Sequence, residues 1–87
     1  MTQHRNRQSA KAVEHNFPHF VEMVAPEGGF GGKLGAMYNF HVWHGISAQR
    51  GHGQRLKDGR SVIRWCFADP GIASAFAQEF RDFVRQK

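Results

Sequence analysis

Residues 62–70 (Val-Ile-Arg-Trp-Cys-Phe-Ala-Asp-Pro) constrain the fold more than any other stretch, because one kind of element must hand over to another inside them. Side chains alternate across a strand, so Ile63, Trp65 and Phe67 face one way and Val62, Arg64 and Cys66 the other. The β-branched and aromatic content suits a strand. Asp69 is then a good helix N-cap, and Pro70 fits the first helical position, where its missing N–H costs nothing. Beyond it Ile72, Ala73, Phe76, Ala77, Phe80, Phe83 and Val84 recur at three- and four-residue spacing, opposite a polar face that includes Ser74, Gln78, Glu79 and Arg81. The spacing predicts one amphipathic helix running on through Val84, with Arg85 and Lys87 where a helix C-terminus favours positive charge.

The remaining chain must supply that unit with a core from little material. The sequence has 87 residues, enough for one domain. Its first sixteen are polar, with Arg5, Arg7 and Lys11 against Glu14, and read as a flexible basic tail ahead of a single domain over residues 17–87. A short helix over residues 9–15 is the other option for that segment. A domain of about 70 residues buries only about 60% of the surface its unfolded chain exposes, so large side chains matter. Eight Phe and two Trp meet that need, since burying each such ring contributes roughly 1.5–3 kcal/mol.

Composition also removes several classes of function. A single cysteine, Cys66, excludes an intrachain disulfide and a paired-cysteine zinc motif. No apolar run approaches the length of about 18 residues needed to cross a bilayer, and no signal-peptide core follows the polar N-terminus. The expectation is a cytoplasmic protein with no membrane partner. A net charge of +5 admits a polyanionic partner without requiring one.

Residues 19–25 read as a first strand stopped by Pro26, with Val21, Met23 and Ala25 on one face and Phe20, Glu22 and Val24 on the other. Glu27-Gly28-Gly29-Phe30-Gly31-Gly32-Lys33 comes next. A glycine loop between strand and helix is the setting of phosphate cradles, but both known patterns fail here. The P-loop pattern needs Gly at 27 and Ser or Thr at 34, and the dinucleotide pattern needs Gly at 34; the chain has Glu27 and Leu34. A flexible connection is the simpler reading, an improvised anion nest the other.

The type of residues 34–44 is contested by periodicity. A helix aligns Phe30, Leu34, Met37, His41 and His44 beside Phe40 and stops at Gly45; a strand sets Tyr38, Phe40 and Val42 against Met37, His41 and Trp43. The run W-C-F-A-D-P-G-I-A-S-A-F-A-Q-E-F at 65–80, with M-Y-N-F-H-V-W-H-G-I at 37–46, resembles a group of small proteobacterial proteins to which no activity, ligand or partner is attached. The resemblance covers residues 30–83 and implies a shared fold only. Together with the Gly45 stop it favours the helix. Lys57-Asp58-Gly59-Arg60 then reads as the turn of a hairpin whose first arm lies within residues 47–56. The expected order is β-α-β-β-α, an α+β fold with two helices on one face of a three-stranded, mainly antiparallel sheet, an incomplete ferredoxin-like arrangement.

No catalytic constellation emerges, so the chain is expected not to be an enzyme and to need no cofactor. His41 and His44 have half-site spacing for zinc but lack the His-Glu-x-x-His context, and packed or surface histidines are the simpler reading. Cys66 lacks a basic neighbour or helix N-terminus that activates a thiol, so it reads as a small buried hydrophobe. Two features point to binding. Residues 50–64 set Arg50, Arg55, Lys57, Arg60 and Arg64 against Asp58 alone, a net charge of +4 suited to an anion or nucleic acid, with Phe20, Tyr38 or Trp43 available to stack on bases if exposed. Phe20, Val24, Val62 and Cys66, with Glu22 and Arg64 among them, make the second sheet face too apolar to leave in water. Sheet-to-sheet pairing in a homodimer would cover it; so would the N-terminal segment. The expectation is a self-associating binding domain that offers its basic hairpin to an anionic partner, with a nucleic-acid-binding protein using hairpin and tail as the alternative.

Overall fold

The computed structural model describes residues 9–86. Arg5, Arg7 and Lys87, which the tail and C-terminal readings used, lie outside that span. Seven main elements run in order: α1 (Ala10–Asn16), β1 (His19–Val24), α2 (Gly32–Trp43), β2 (Gln49–Arg50), β3 (Gln54–Arg55), β4 (Ser61–Phe67) and α3 (Pro70–Glu79). The fold is α+β, with three helices and a four-stranded antiparallel open sheet.

β4 is the central strand. β1 pairs along its whole length on one side, from His19 opposite Phe67 to Val24 opposite Val62. On its other side β2 pairs first and β3 after it. Taking β2 and β3 as one interrupted strand gives a spatial order of first, third, second, which is the ferredoxin-like order lacking its fourth strand. The C-terminus supplies a remnant of that strand: Val84 bridges Met23, and the Arg85 N–H donates to the Glu22 carbonyl at 2.9 Å.

Alternation along β1 and β4 sends Val21, Met23, Trp65 and Phe67 to one face, where they join Met37, Phe40, Ala73, Phe76 and Phe80 in the core. Phe76 of α3 is its hub, with ring centroids 5.1 Å from Phe40, 5.1 Å from Phe67 and 5.0 Å from Phe80. Asp69 caps α3 as its sequence predicts, accepting the Gly71 N–H at 2.7 Å with Pro70 in the first turn.

The contested segment is helical. α2 buries Met37, Phe40 and His41 on one stripe, and Gly45 ends it at φ 66°. The Ile46 N–H reaches the His41 carbonyl and the Gly45 N–H the Val42 carbonyl, the paired bonds of a left-handed helix stop.

Two expectations need correcting. The last helix ends at Glu79; Phe80 leaves helical geometry and residues Arg81–Phe83 form a single 3-10 turn. The turn brings Phe83 edge-on to Phe30, centroids 5.5 Å apart, and carries Val84 to the free side of β1, satisfying backbone groups that a longer helix would leave open. Residues 10–16, read as part of a solvated tail, form α1 on the second sheet face. Ser9 caps α1 by accepting the Ala12 N–H at 3.1 Å, and Val13 is buried.

Candidate anion-binding surface

The free side of β4 carries an interrupted edge. Arg50 stands opposite Trp65 and Gln54 opposite Val62, so four steps along the edge match three along β4. The extra residue is a β-bulge within Gly51-His52-Gly53, and it reverses the facing of Gln54 and Arg55. Arg50 and Arg55, an odd number of positions apart, are thereby brought to the same side of the sheet, the side covered by α2.

Arg50 fixes that edge to α2. Its Nη1 donates to the Tyr38 hydroxyl at 3.2 Å, and its guanidinium carbon stands 5.7 Å from the Trp65 ring centre. Tyr38 meets the Trp65 ring edge-on at 5.2 Å. Because α2 buries Met37, Phe40 and His41, its opposite flank turns outward, and Tyr38, Val42 and Trp43 are 39%, 74% and 87% exposed. A tryptophan left this far in water at the end of a well-packed helix is unusual for a small domain that needs every ring in its core.

The hairpin turn is tightly made. Leu56 and Arg60 close it with an N–H to carbonyl bond of 2.8 Å, and Gly59 takes φ 91°. Asp58 accepts from the Arg60 backbone N–H at 3.0 Å and from its Nε at 2.8 Å; the backbone bond and the guanidinium hold the Asp58 carboxyl below its ordinary pKa. Arg55 braces the turn by donating to the Gly59 carbonyl at 2.9 Å, and among the described residues no carboxylate pairs with it. Among the described residues Lys57 forms no ion pair.

Arg64 belongs elsewhere. It projects from the opposite sheet face, 2.7 Å from Glu22 and 3.2 Å from Glu14, with its guanidinium 4.3 Å over the Phe20 ring. The hydrogen bond to the Glu22 carboxylate raises its pKa above the ordinary value. Arg85 completes the network, 3.2 Å from Glu22 and donating to Gln54 at 2.9 Å. Of the five cations singled out from the sequence, Arg64 and Arg60 are thus neutralised by carboxylates, while Arg50, Arg55 and Lys57 have no carboxylate partner among the described residues.

The expected self-association face is partly covered within the chain. Val62 and Cys66 are buried, Val24 is half-buried, and only Phe20 is exposed. α1 packs beside β2 on this face, and its Glu14 forms a latch: one carboxylate oxygen accepts the His52 N–H at 2.6 Å, lies 3.0 Å from His52 Nδ1 and pairs with Arg64. The His52 N–H is the main reason the Glu14 pKa is lowered. Burial, aided by the Glu14 charge, pushes the Cys66 thiol up and leaves it inert as a nucleophile. Sequence reasoning missed Glu14. The only signal was that the one acidic residue of the first sixteen adjoins Val13, the helix's buried position.

His41 of α2 and His44, three residues on at its C-cap, have different surroundings. His41 is buried, bonded through Nδ1 to the Met37 carbonyl at 2.8 Å, while His44 is exposed and tilts against Phe40 with centroids 4.2 Å apart. Among the described residues no three His, Cys, Asp or Glu side chains gather as metal ligands, and no helix is long and apolar enough to cross a membrane. Compared with protein-family models, with curated proteins and with solved structures, the chain matches none of them.

Proposed function

We propose that this chain is a small binding domain for single-stranded nucleic acid. One observation carries the reading: the bulge sets Arg50 and Arg55 on the side of the sheet where α2 exposes Tyr38, Val42 and Trp43. Cations beside exposed rings are what a flexible polyanion with stackable bases requires. Lys and Arg track the backbone, and each stacked base contributes about 1–3 kcal/mol without regard to its identity. Lys57, at the tip of the hairpin, extends the cationic line. The pairing of Arg60 with Asp58 shapes the turn and leaves the contact to its neighbours.

The test is a titration with a mixed-sequence DNA decamer, monitored by amide shifts and by the fluorescence of the exposed tryptophan at several salt concentrations. Shifts should gather on residues 38–43 and 49–60 and fade as salt rises. Replacing Arg50, Arg55 and Lys57 together by Ala should flatten the salt dependence by about 2 log units per decade, at about 0.7 per phosphate contact in single strands. Trp43→Ala should weaken binding while leaving that slope unchanged. An unresponsive spectrum at low salt would end the reading. Equal binding of inorganic polyphosphate, with no effect of Trp43→Ala, would leave an anion-binding surface and remove the bases from it.

A further inference from the structure

A second feature lies at the C-terminal end of β4, where it adjoins Gln49 of β2. There the chain leaves the sheet for α3, and the packing opens into a cavity of about 300 Å³ between Phe17 after α1, Ile46 after α2, Phe67 of β4 and Ile72 of α3. The opening is at the lower end of the range of small-molecule sites, about 300–1,000 Å³. Its walls come from four separate segments, so it is a product of the tertiary fold. They are largely apolar, and water within them gains little. Asp69 is one of the residues that line it. One carboxylate oxygen is held by the Gly71 N–H, and among the described residues no cation pairs with its charge.

We propose that this cavity binds a small amphiphile: a compact aliphatic body in the opening, with a primary amine as its head group against Asp69. The charge decides the class. An ammonium group donates to the free side of the carboxylate, whereas a fatty-acid head group meets a like charge there. The cap makes the site rigid, because the bond that fixes the Asp69 side chain also starts α3. Cys66 contributes wall and no chemistry, its thiol being buried and protonated.

The chain's three isoleucines make the experiment direct, since Ile46 and Ile72 line the cavity and Ile63 does not. Protein labelled at isoleucine methyls is titrated with hexylamine, hexanol and hexanoate. Saturable shifts of Ile46 and Ile72, with Ile63 still, are expected for hexylamine. Its affinity should exceed that of hexanoate by a factor of about 3–5, as suits one exposed ion pair. Asp69→Asn retains a capping oxygen and should bring the two to parity. Ser47→Phe adds a ring to the lining and should abolish the shifts in an otherwise unchanged spectrum; Ala68→Leu serves if that variant does not fold. Shifts that never saturate, that persist in the filled variant, or that favour hexanoate would overturn the proposal. None of these outcomes depends on whether the other surface binds nucleic acid.

Discussion

His41 is the residue at which the core is most sensitive to its surroundings. It stacks parallel to Phe67 with centroids 5.4 Å apart, and its Nε2 has no hydrogen-bond partner among the described residues, nor has the Trp65 Nε1 beside it. Burial lowers its pKa below 6.5, the neighbouring His44 adds to this, and the Met37 carbonyl works the other way without reversing it. The folded chain therefore resists a proton that the unfolded chain accepts. Above pH 6.5 both states are neutral and nothing is lost; below it stability falls until the lowered native value is passed. Urea midpoints measured from pH 8 to pH 5 should show this decline in the wild type. His41→Met, a change of similar volume costing about 1.5 kcal/mol or less at neutral pH, should narrow the gap as the pH falls. Glu14 acts in a separate window. Its contribution is complete above its ordinary value of 4.5 and is lost as the pH falls through the lower native one.

At the scale of elements, two glycines have distinct duties. Gly45 ends α2 with φ 66°, which a side chain tolerates poorly, so Gly45→Ala should cost about 1–2 kcal/mol, read as a shift of the urea midpoint at constant slope. Gly51 lies outside the left-handed region and has a different constraint: a Cβ there would run into the Glu14 carboxylate. Gly51→Ala should push Glu14 away from His52 and Arg64. The amides of residues 10–16 should then exchange faster while those of β4 do not, since α1 alone loses its anchor. These elements differ in how well they can be read from sequence. The β4–α3 junction was legible because alternation, cap and proline all act within a few residues. α2 was ambiguous because Tyr38, Val42 and Trp43 are as apolar as the buried stripe, so the helix has no polar face to reveal its period. The end of α3 was hidden because Phe83 and Val84 continue its periodicity while serving Phe30 and β1 instead. The site divides in the same way. A cationic hairpin shows in the residue order, and strand alternation already sets Glu22 on the same face as Arg64, but the addition of Glu14 to that pair depends on partners far apart in the chain.

For the whole molecule, the two sheet faces are unequally protected. The Trp65 face is sealed by α2 and α3, whereas the Val62 and Cys66 face relies on one helix of seven residues. A helix this short has little stability of its own, so it is held by Val13 and the Glu14 latch. A chain lacking residues 1–16 should keep its sheet but expose Cys66, which should then react with a thiol reagent at a rate approaching that of free cysteine. The same chain should sediment as a dimer or larger at concentrations where the intact protein is monomeric. A monomer with a protected thiol would assign the cover to other parts of the chain.

The remnant fourth strand has a consequence for life at high concentration. A β-sheet edge is a template on which identical chains can polymerise. Val84 and Arg85 occupy one edge of this sheet, while a bulge and the Glu14 carboxylate interrupt the other. Both borders are therefore interrupted, the first at Met23 and Glu22 and the second at the bulge. In a crowded solution these interruptions should slow the growth of a fibril from the folded chain.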